Sequence, residues 1–334
     1  MDSVSQAALG ASVAVVVTQG QHPVRAILYG AALGTLPDLD VIAGYETDLL
    51  STVKHRTWSH SWLVQTAIAP ILAIVASRFD RLFSLTQWFL MVLLCFLTHS
   101  GLDAITIYGT DLFWPLSDRT VMGGSTFIID PLLTLPMAVA LIWVWRHQSS
   151  RRCMSVAALG LTLSMMYLVW GGWQKARLES IAEQQLRQHS EPYQRLVATP
   201  TPFNSILWRI LVIADDAYYE GFYSLFDRTQ AIRFRRFSRN IHLVDELPET
   251  EQWQMANVFQ HGFNGLEIYQ EQIIVNDLRM GIEPFYFFRF RLAENTDNEF
   301  HSVPADLVQK RFPDVTFFLW LARRIVNEEI KPIN

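Results

Sequence analysis

The stretch Lys54-His55-Arg56-Thr57-Trp58-Ser59-His60-Ser61 runs directly into the apolar segment 62–76, and that junction decides the fold. Two histidines, an arginine, a lysine and two serines stand at the mouth of a segment apolar enough for a bilayer. A charge at the bilayer centre costs at least ~2.5–3.5 kcal/mol, and less near the interface. Polar groups retained at such a position point to a site. The rest of the chain is therefore read for residues that could meet them.

Outward from the junction, the chain has 334 residues, half of them apolar, and a mean hydropathy of +0.16. That mean is too high for an ordinary soluble protein and too low for one that is membrane throughout. The expectation is an α-helical integral membrane domain followed by a small α+β water-soluble domain. Five to six apolar helices are expected, at 4–18, 24–36, 62–77, 83–98, 126–145 and 154–173. The first two fall short of the ~20 residues of a full span. In the second, Ala26, Gly30 and Gly34 recur every fourth residue, a pattern that lets two helix backbones approach closely. Asp130 and Pro131 interrupt the fifth segment near its start.

After Trp173 the sequence turns polar. The spacing predicts a membrane domain over 1–176, a polar helical connector over 177–198 and a soluble α+β domain over 199–334. Thr199-Pro200-Thr201-Pro202 reads as a stiff, extended linker. Strands are expected at 206–213, 217–225, 231–237, 264–269, 272–277 and 284–292, and helices at 249–260 and 314–327. Cys95 and Cys153 read as buried apolar side chains, which argues against a thiolate zinc site. The net charge of −5, with no dense basic block, argues against nucleic-acid binding. There is no basic n-region (the first Lys or Arg is Arg25), so a cleaved signal peptide is not expected.

If the apolar segments alternate direction, the loops near 19–25, 78–82 and 146–152 share one side. They carry Arg25, Arg78, Arg81, Arg146, Arg151 and Arg152, and the positive-inside rule places them in the cytoplasm. The 54–61 cluster, the Leu36-Pro37-Asp38-Leu39-Asp40 break, the end of the 83–98 helix and the C-terminal domain then fall on the outer side.

The candidates at that face are Asp38, Asp40, His55, His60, His99 and Asp103. Imidazole with carboxylate is a common ligand set for zinc and for other first-row divalent metals such as manganese. His99 and Asp103 stand four apart and share a helical face. His55 and His60 are five apart, so a straight helix would not align them. A bound divalent metal would acidify a water and polarise a carbonyl or phosphoryl oxygen. Arg56 could clamp an anionic oxygen, Lys54 could add charge, and Ser59 could cap the next helix, orient a histidine or act as nucleophile. The cap is favoured for Ser59. Each histidine taken alone reads as a hydrogen-bonding residue, and Asp38 and Asp40 read equally well as turn residues. The convergence of all six on one face is what points to a site.

Three motifs in this order carry a resemblance: Gly34-Thr35-Leu36-Pro37-Asp38-Leu39-Asp40, then His55-Arg56-Thr57-Trp58-Ser59-His60-Ser61, then Thr98-His99-Ser100-Gly101-Leu102-Asp103 with Tyr108-Gly109-Thr110. The chain resembles the YdjM-type family over roughly residues 1–145. These are bacterial and archaeal membrane-bound proteins generally described as metal-dependent hydrolases. The opening Met1-Asp2-Ser3-Val4-Ser5-Gln6-Ala7 is similar to one branch, and other branches carry a histidine where this chain has Gln6. In its place Asp2 or Gln6 could serve. Asp277-Leu278-Arg279-Met280-Gly281 resembles the long-form members.

The leading reading is a membrane-bound metal-dependent hydrolase. His55, His60, His99, Asp103 and one of Asp38 or Asp40 would hold the metal, and Arg56 would stabilise an anionic transition state. The substrate would be an ester or phosphoester at the membrane interface, including a membrane lipid or lipid-linked molecule. The competing reading is a non-enzymatic membrane protein, in which the polar cluster braces helix ends and the soluble domain mediates interaction or regulation. A transporter is disfavoured because the ionisable groups sit at the ends of segments.

Overall fold

The computed structural model describes residues 1–188, 192–229, 231–308 and 313–330. Two compact units emerge. The first comprises 1–43, 55–174 and 202–204, and the second 44–54, 175–201 and 205–334.

The first unit is helical: α1 (Ser3–Val17), α2 (Pro23–Thr35), α4 (Trp62–Phe79), α5 (Leu85–Ala104), α6 (Pro131–Arg146) and the first part of α7 (Cys153–Gln188). Among the described residues, α4, α5 and α7 are long and apolar enough to cross a membrane, and α1 and α6 are shorter apolar helices. A 3₁₀ turn, Leu36–Ile42, follows α2 directly, and a second, Trp58–His60, precedes α4. Pro37 can open the first turn because its missing N–H is one of the orphan donors of a helix start. Asp130 and Pro131 do not interrupt α6 but begin it. The Asp130 side chain accepts from the Leu132 N–H, and Pro131 takes the first helical position. Ser61, not Ser59, caps α4 by accepting from the Val64 N–H.

The small-residue stripe does what its spacing predicts. A Cβ on Gly34 would come within 2.5 Å of the Gln6 carbonyl oxygen, and one on Gly30 within 2.6 Å of the Ala14 Cβ. So α1 and α2 touch backbone to backbone, with Gly10 of α1 facing the stripe. This contact fixes where the end of α2, and with it the Leu36–Ile42 turn, can lie. At the other end of the unit, Arg25 and Tyr29 both donate to Asp80, at 2.7 and 2.6 Å, and Gly20 packs on Cys153. The three arginine-bearing loops therefore gather at one end.

The second unit is sheet-rich. An antiparallel meander runs in the order β1 (Arg195–Pro200), β2 (Leu207–Ile213), β3 (Ala217–Ser224), β4 (Arg235–Ser238). The polar part of α7 covers it, burying Leu178, Ala182 and Leu186 against Trp208, Ile210 and Val212. On it also packs α9 (Val315–Val326) through Phe317, Trp320 and Leu321. A second sheet has the order β10 (Glu299–Ser302), β9 (Arg289–Thr296), β6 (Gln272–Asp277), β5 (Asn264–Tyr269). The small β7 (Gly281–Ile282) and β8 (Phe285–Tyr286) pair with each other. The core under the second sheet includes Leu49 of α3 (Asp48–Lys54) and Ala256 of α8 (Glu251–Phe259).

Three expectations change. The linker at Thr199-Pro200-Thr201-Pro202 is not a linker: Thr199 and Pro200 end β1, opposite Arg209 and Trp208, and the Thr201 N–H donates to Leu207. Proline is tolerated there because β1 is an edge strand. The polar helical connector expected over 177–198 is not a separate element: α7 runs unbroken from Cys153 to Gln188, the units divide within it, and β1 already begins at Arg195, while 189–191 lie outside the described residues. Residues 44–54 belong with the C-terminal unit, through the burial of Leu49.

Gly30→Leu should cost ~3 kcal/mol or more, the upper range for overpacking, because two backbones cannot yield. The expected outcome is loss of the monodisperse peak on size exclusion in detergent. Gly172→Ala, where nothing lies within 4 Å, is the control and should behave as wild type.

Candidate metal centre

Four side chains from three elements converge: Asp38 from the Leu36–Ile42 turn, His60 from the Trp58–His60 turn, and His99 and Asp103 from α5. One ligand atom from each lies within 4.8 Å of all the others. His60, His99 and Asp103 are fully buried, and the Asp38 side chain is 21% exposed.

The histidine tautomers follow from what each Nδ1 touches. His99 Nδ1–H donates to the Gly34 carbonyl at 2.6 Å. Ser59 Oγ donates to Asp40 Oδ2 at 2.6 Å, so His60 Nδ1–H donates to Ser59 Oγ at 2.9 Å. Both Nε2 atoms then present lone pairs, and they face each other at 3.0 Å. Asp103 Oδ2 lies 3.1 and 3.5 Å from the Nε2 atoms of His60 and His99. Asp38 Oδ1 lies 3.4 and 3.5 Å from the same two atoms.

Two lone pairs and two carboxylates meeting in a buried space require a positive charge between them. Burial alone would raise the Asp38 carboxyl and lower the His60 imidazole, but hydrogen bonds between Asp38 and the two histidines, and between His60 and Asp103, move both the opposite way. The carboxylates thus draw a positive charge to the Nε2 face, and a proton and a cation would compete for it. A tetrahedral ion ~2.0–2.1 Å from each ligand sets ligand atoms ~3.3–3.4 Å apart. Five of the six separations, 3.0 to 3.5 Å, lie around that figure, and the sixth, between Asp38 and Asp103, is within 4.8 Å, so the donor set could hold a divalent cation.

Of the remaining expected residues, Asp40, His55, Arg56 and Ser59 surround this set. Asp40 accepts from His55 Nδ1 at 2.8 Å, from the Arg56 N–H at 3.1 Å and from Ser59 Oγ. Burial would raise its carboxyl, but these donors, His55 foremost, hold it below the usual range. Asp40 and His55 thus pair with each other, and neither is among the four converging groups. Arg56 is buried, with φ +64°. It reaches Asp103 Oδ1 at 3.2 Å through Nη2 and Thr106 at 3.2 Å through Nη1, and its guanidinium lies over the Tyr108 ring. It faces Asp103 rather than solvent. Ser59 orients His60. Lys54 ends α3 and belongs to the second unit.

Sequence reasoning did not anticipate how Asp103 is divided. Its Oδ1 accepts from the Met1 amino group, from Gln6 Nε2 at 3.1 Å and from Arg56, leaving Oδ2 for the histidines. Gln6 also donates to the His99 carbonyl at 3.2 Å. Gln6 therefore supports a carboxylate of the set, while Asp2 caps α1. Behind the 3₁₀ turn, Gln65 Nε2 donates to the Ser59 carbonyl at 2.9 Å and to Ser100 Oγ at 2.6 Å. Only the sequence match at residues 1–7 hinted at the Gln6 contact, and nothing local signalled Gln65.

A family model described as YdjM inner membrane protein matches residues 1–178, which contain all four converging residues. The chain is 23% identical over 188 residues to the uncharacterized protein YfhP of Bacillus subtilis (strain 168). That alignment covers 55% of this chain and 54% of YfhP, so the chain spans about half the length of the curated relative it matches. No solved structure matches.

His60→Ala and Asp103→Ala should each strip the site of metal in equilibrium dialysis, with helix content by circular dichroism unchanged. Ser59→Ala should weaken metal affinity ~10–100-fold, as loss of a ligand-orienting partner does. Ser59→Thr, which keeps the hydroxyl, should restore it.

Proposed function

The chain belongs to the YdjM inner membrane protein family, and on that premise we propose that it is a membrane-bound, divalent-metal-dependent hydrolase of an ester or phosphoester. The observation that carries this reading is the facing pair of Nε2 atoms, 3.0 Å apart and flanked by Asp38 and Asp103, with both Nδ1 atoms already committed. Zinc or manganese suits a set of two imidazoles and two carboxylates. When bound, such an ion acidifies a water and polarises the oxygen of the scissile group.

The chain's own residues hold and orient. Gly34 and the Ser59–Asp40 pair lock the two imidazoles. Gln6, Arg56 and the Met1 amino group fix Asp103. Asp38 is the member of the set open to an incoming molecule. Arg56 acts through Asp103 in this account. Ser59, with its hydroxyl proton on Asp40, is a positioning group and not a nucleophile. The arginine-bearing loops at the far end support a multi-pass topology with the metal set on the periplasmic side.

A second reading rests on the same bonds. They tie both 3₁₀ turns to α5 and α1, so the cluster could serve as a brace in a non-enzymatic protein whose C-terminal unit mediates interaction.

Metal content separates the two. Protein purified without a metal-binding tag should hold near-stoichiometric zinc or manganese by elemental mass spectrometry. Chelation should abolish hydrolysis across a phosphoester panel, and the ion should restore it. Absence of metal even after incubation with divalent ions overturns the hydrolase reading and favours the brace.

A further inference from the structure

The Leu36–Ile42 turn has its polarity reversed. Its two carboxylates point inward, Asp38 into the donor set and Asp40 onto His55, Ser59 and Arg56. Its aliphatic side chains point outward: Leu39 is 53% exposed, Val41 65% and Ile42 75%, with Leu36 exposed as well. A turn in water would do the opposite, burying its aliphatics and solvating its acids.

The apolar surface extends past this turn. Trp58, in the turn that supplies His60, is exposed, and so is Leu116 of the loop whose Leu112 carbonyl accepts from the Trp62 N–H. Trp58 leads through Ser61 into α4, whose outward face carries exposed Ile71 and Val75. That helix is long and apolar enough to cross a membrane. The turn that supplies Asp38 and the helix that follows His60 thus both present apolar side chains outward. Asp38, the partly exposed member of the set, stands in sequence between the exposed Leu36 and Leu39.

We propose that the substrate is an acyl-chain-bearing phosphoester of the bilayer, reaching the donor set laterally past the Leu36–Ile42 turn. This rests on the metal-hydrolase reading above. The acyl chain stays in hydrocarbon against Leu39, Val41 and Ile42, while the phosphoester reaches Asp38 and the cation. Water-soluble phosphoesters have no chain to hold there. Long-chain substrates should therefore be preferred through KM.

The test uses the full-length protein in liposomes containing phosphatidic acid with a diazirine on its acyl chain. After illumination, adducts are mapped by peptide mass spectrometry, and metal is measured on the same sample. The expected result is adducts on 36–42 and on Trp58, with a yield several-fold above that on the polar loop 118–120. Adducts confined to the outer faces of the spanning helices would overturn the lateral route. So would labelling of 36–42 by a water-soluble probe alone, or by neither probe, the latter meaning that protein covers the turn. If metal is bound and adducts are absent, the lipid route alone fails. If no metal binds, the hydrolase reading fails and this proposal with it.

Discussion

Four acceptor atoms are crowded within 4.8 Å of one another, and three of the four side chains are out of water. Buried charges persist only when paired or when they coordinate metal. That constraint organises the helical unit. The α1–α2 glycine contact sets the end of α2, and the Gly34 carbonyl there receives His99 Nδ1. The α5 helix carries His99 and Asp103 one turn apart. The Leu36–Ile42 turn brings Asp38 opposite them and Asp40 behind Ser59. The bonds at His60 and His99 Nδ1 remove the alternative tautomers, and those at Asp103 Oδ1 occupy the carboxylate oxygen that the set does not use.

The sequence displays the members of the set more clearly than their roles. His99 and Asp103 are legible because i and i+4 on a helix share a face. Asp38 and His60 are legible as members of polar clusters at helix ends, but not as partners, because 3₁₀ turns aim side chains by local geometry that spacing does not encode. For the same reason Asp40 and His55, expected as ligands, turn toward each other. Arg56, expected to face an anion, is instead drawn inward to Asp103 Oδ1, which it shares with the Met1 amino group. Gln6 lies far from the other residues in sequence and carries no charge, so only the sequence match at residues 1–7 pointed to it.

The division between the units illustrates a different limit. Apolar composition ends near Trp173, yet Gln, Glu, Arg, Ala and Leu all favour helix, so α7 runs on while the partner of its buried face changes. A change of medium is not a change of secondary structure. In the C-terminal unit, buried Arg209 on β2 pairs with Glu220 on β3, and Arg279 pairs with Asp277 at the end of β6. Removing one partner of such a pair would leave a buried charge uncompensated. The Asp277-Leu278-Arg279 motif is one of these pairs: Arg279 reaches both carboxylate oxygens of Asp277 at 2.9 and 2.6 Å.

The central claim is that His60 and His99 turn their Nε2 atoms onto one cation together with Asp38 and Asp103. X-ray absorption at the zinc edge of the loaded protein tests it most directly. The account predicts scattering from two imidazoles with oxygen ligands at ~2.0–2.2 Å, lost in the His60→Ala/His99→Ala variant. A spectrum without imidazole scattering, or one unchanged by that double substitution, would contradict it.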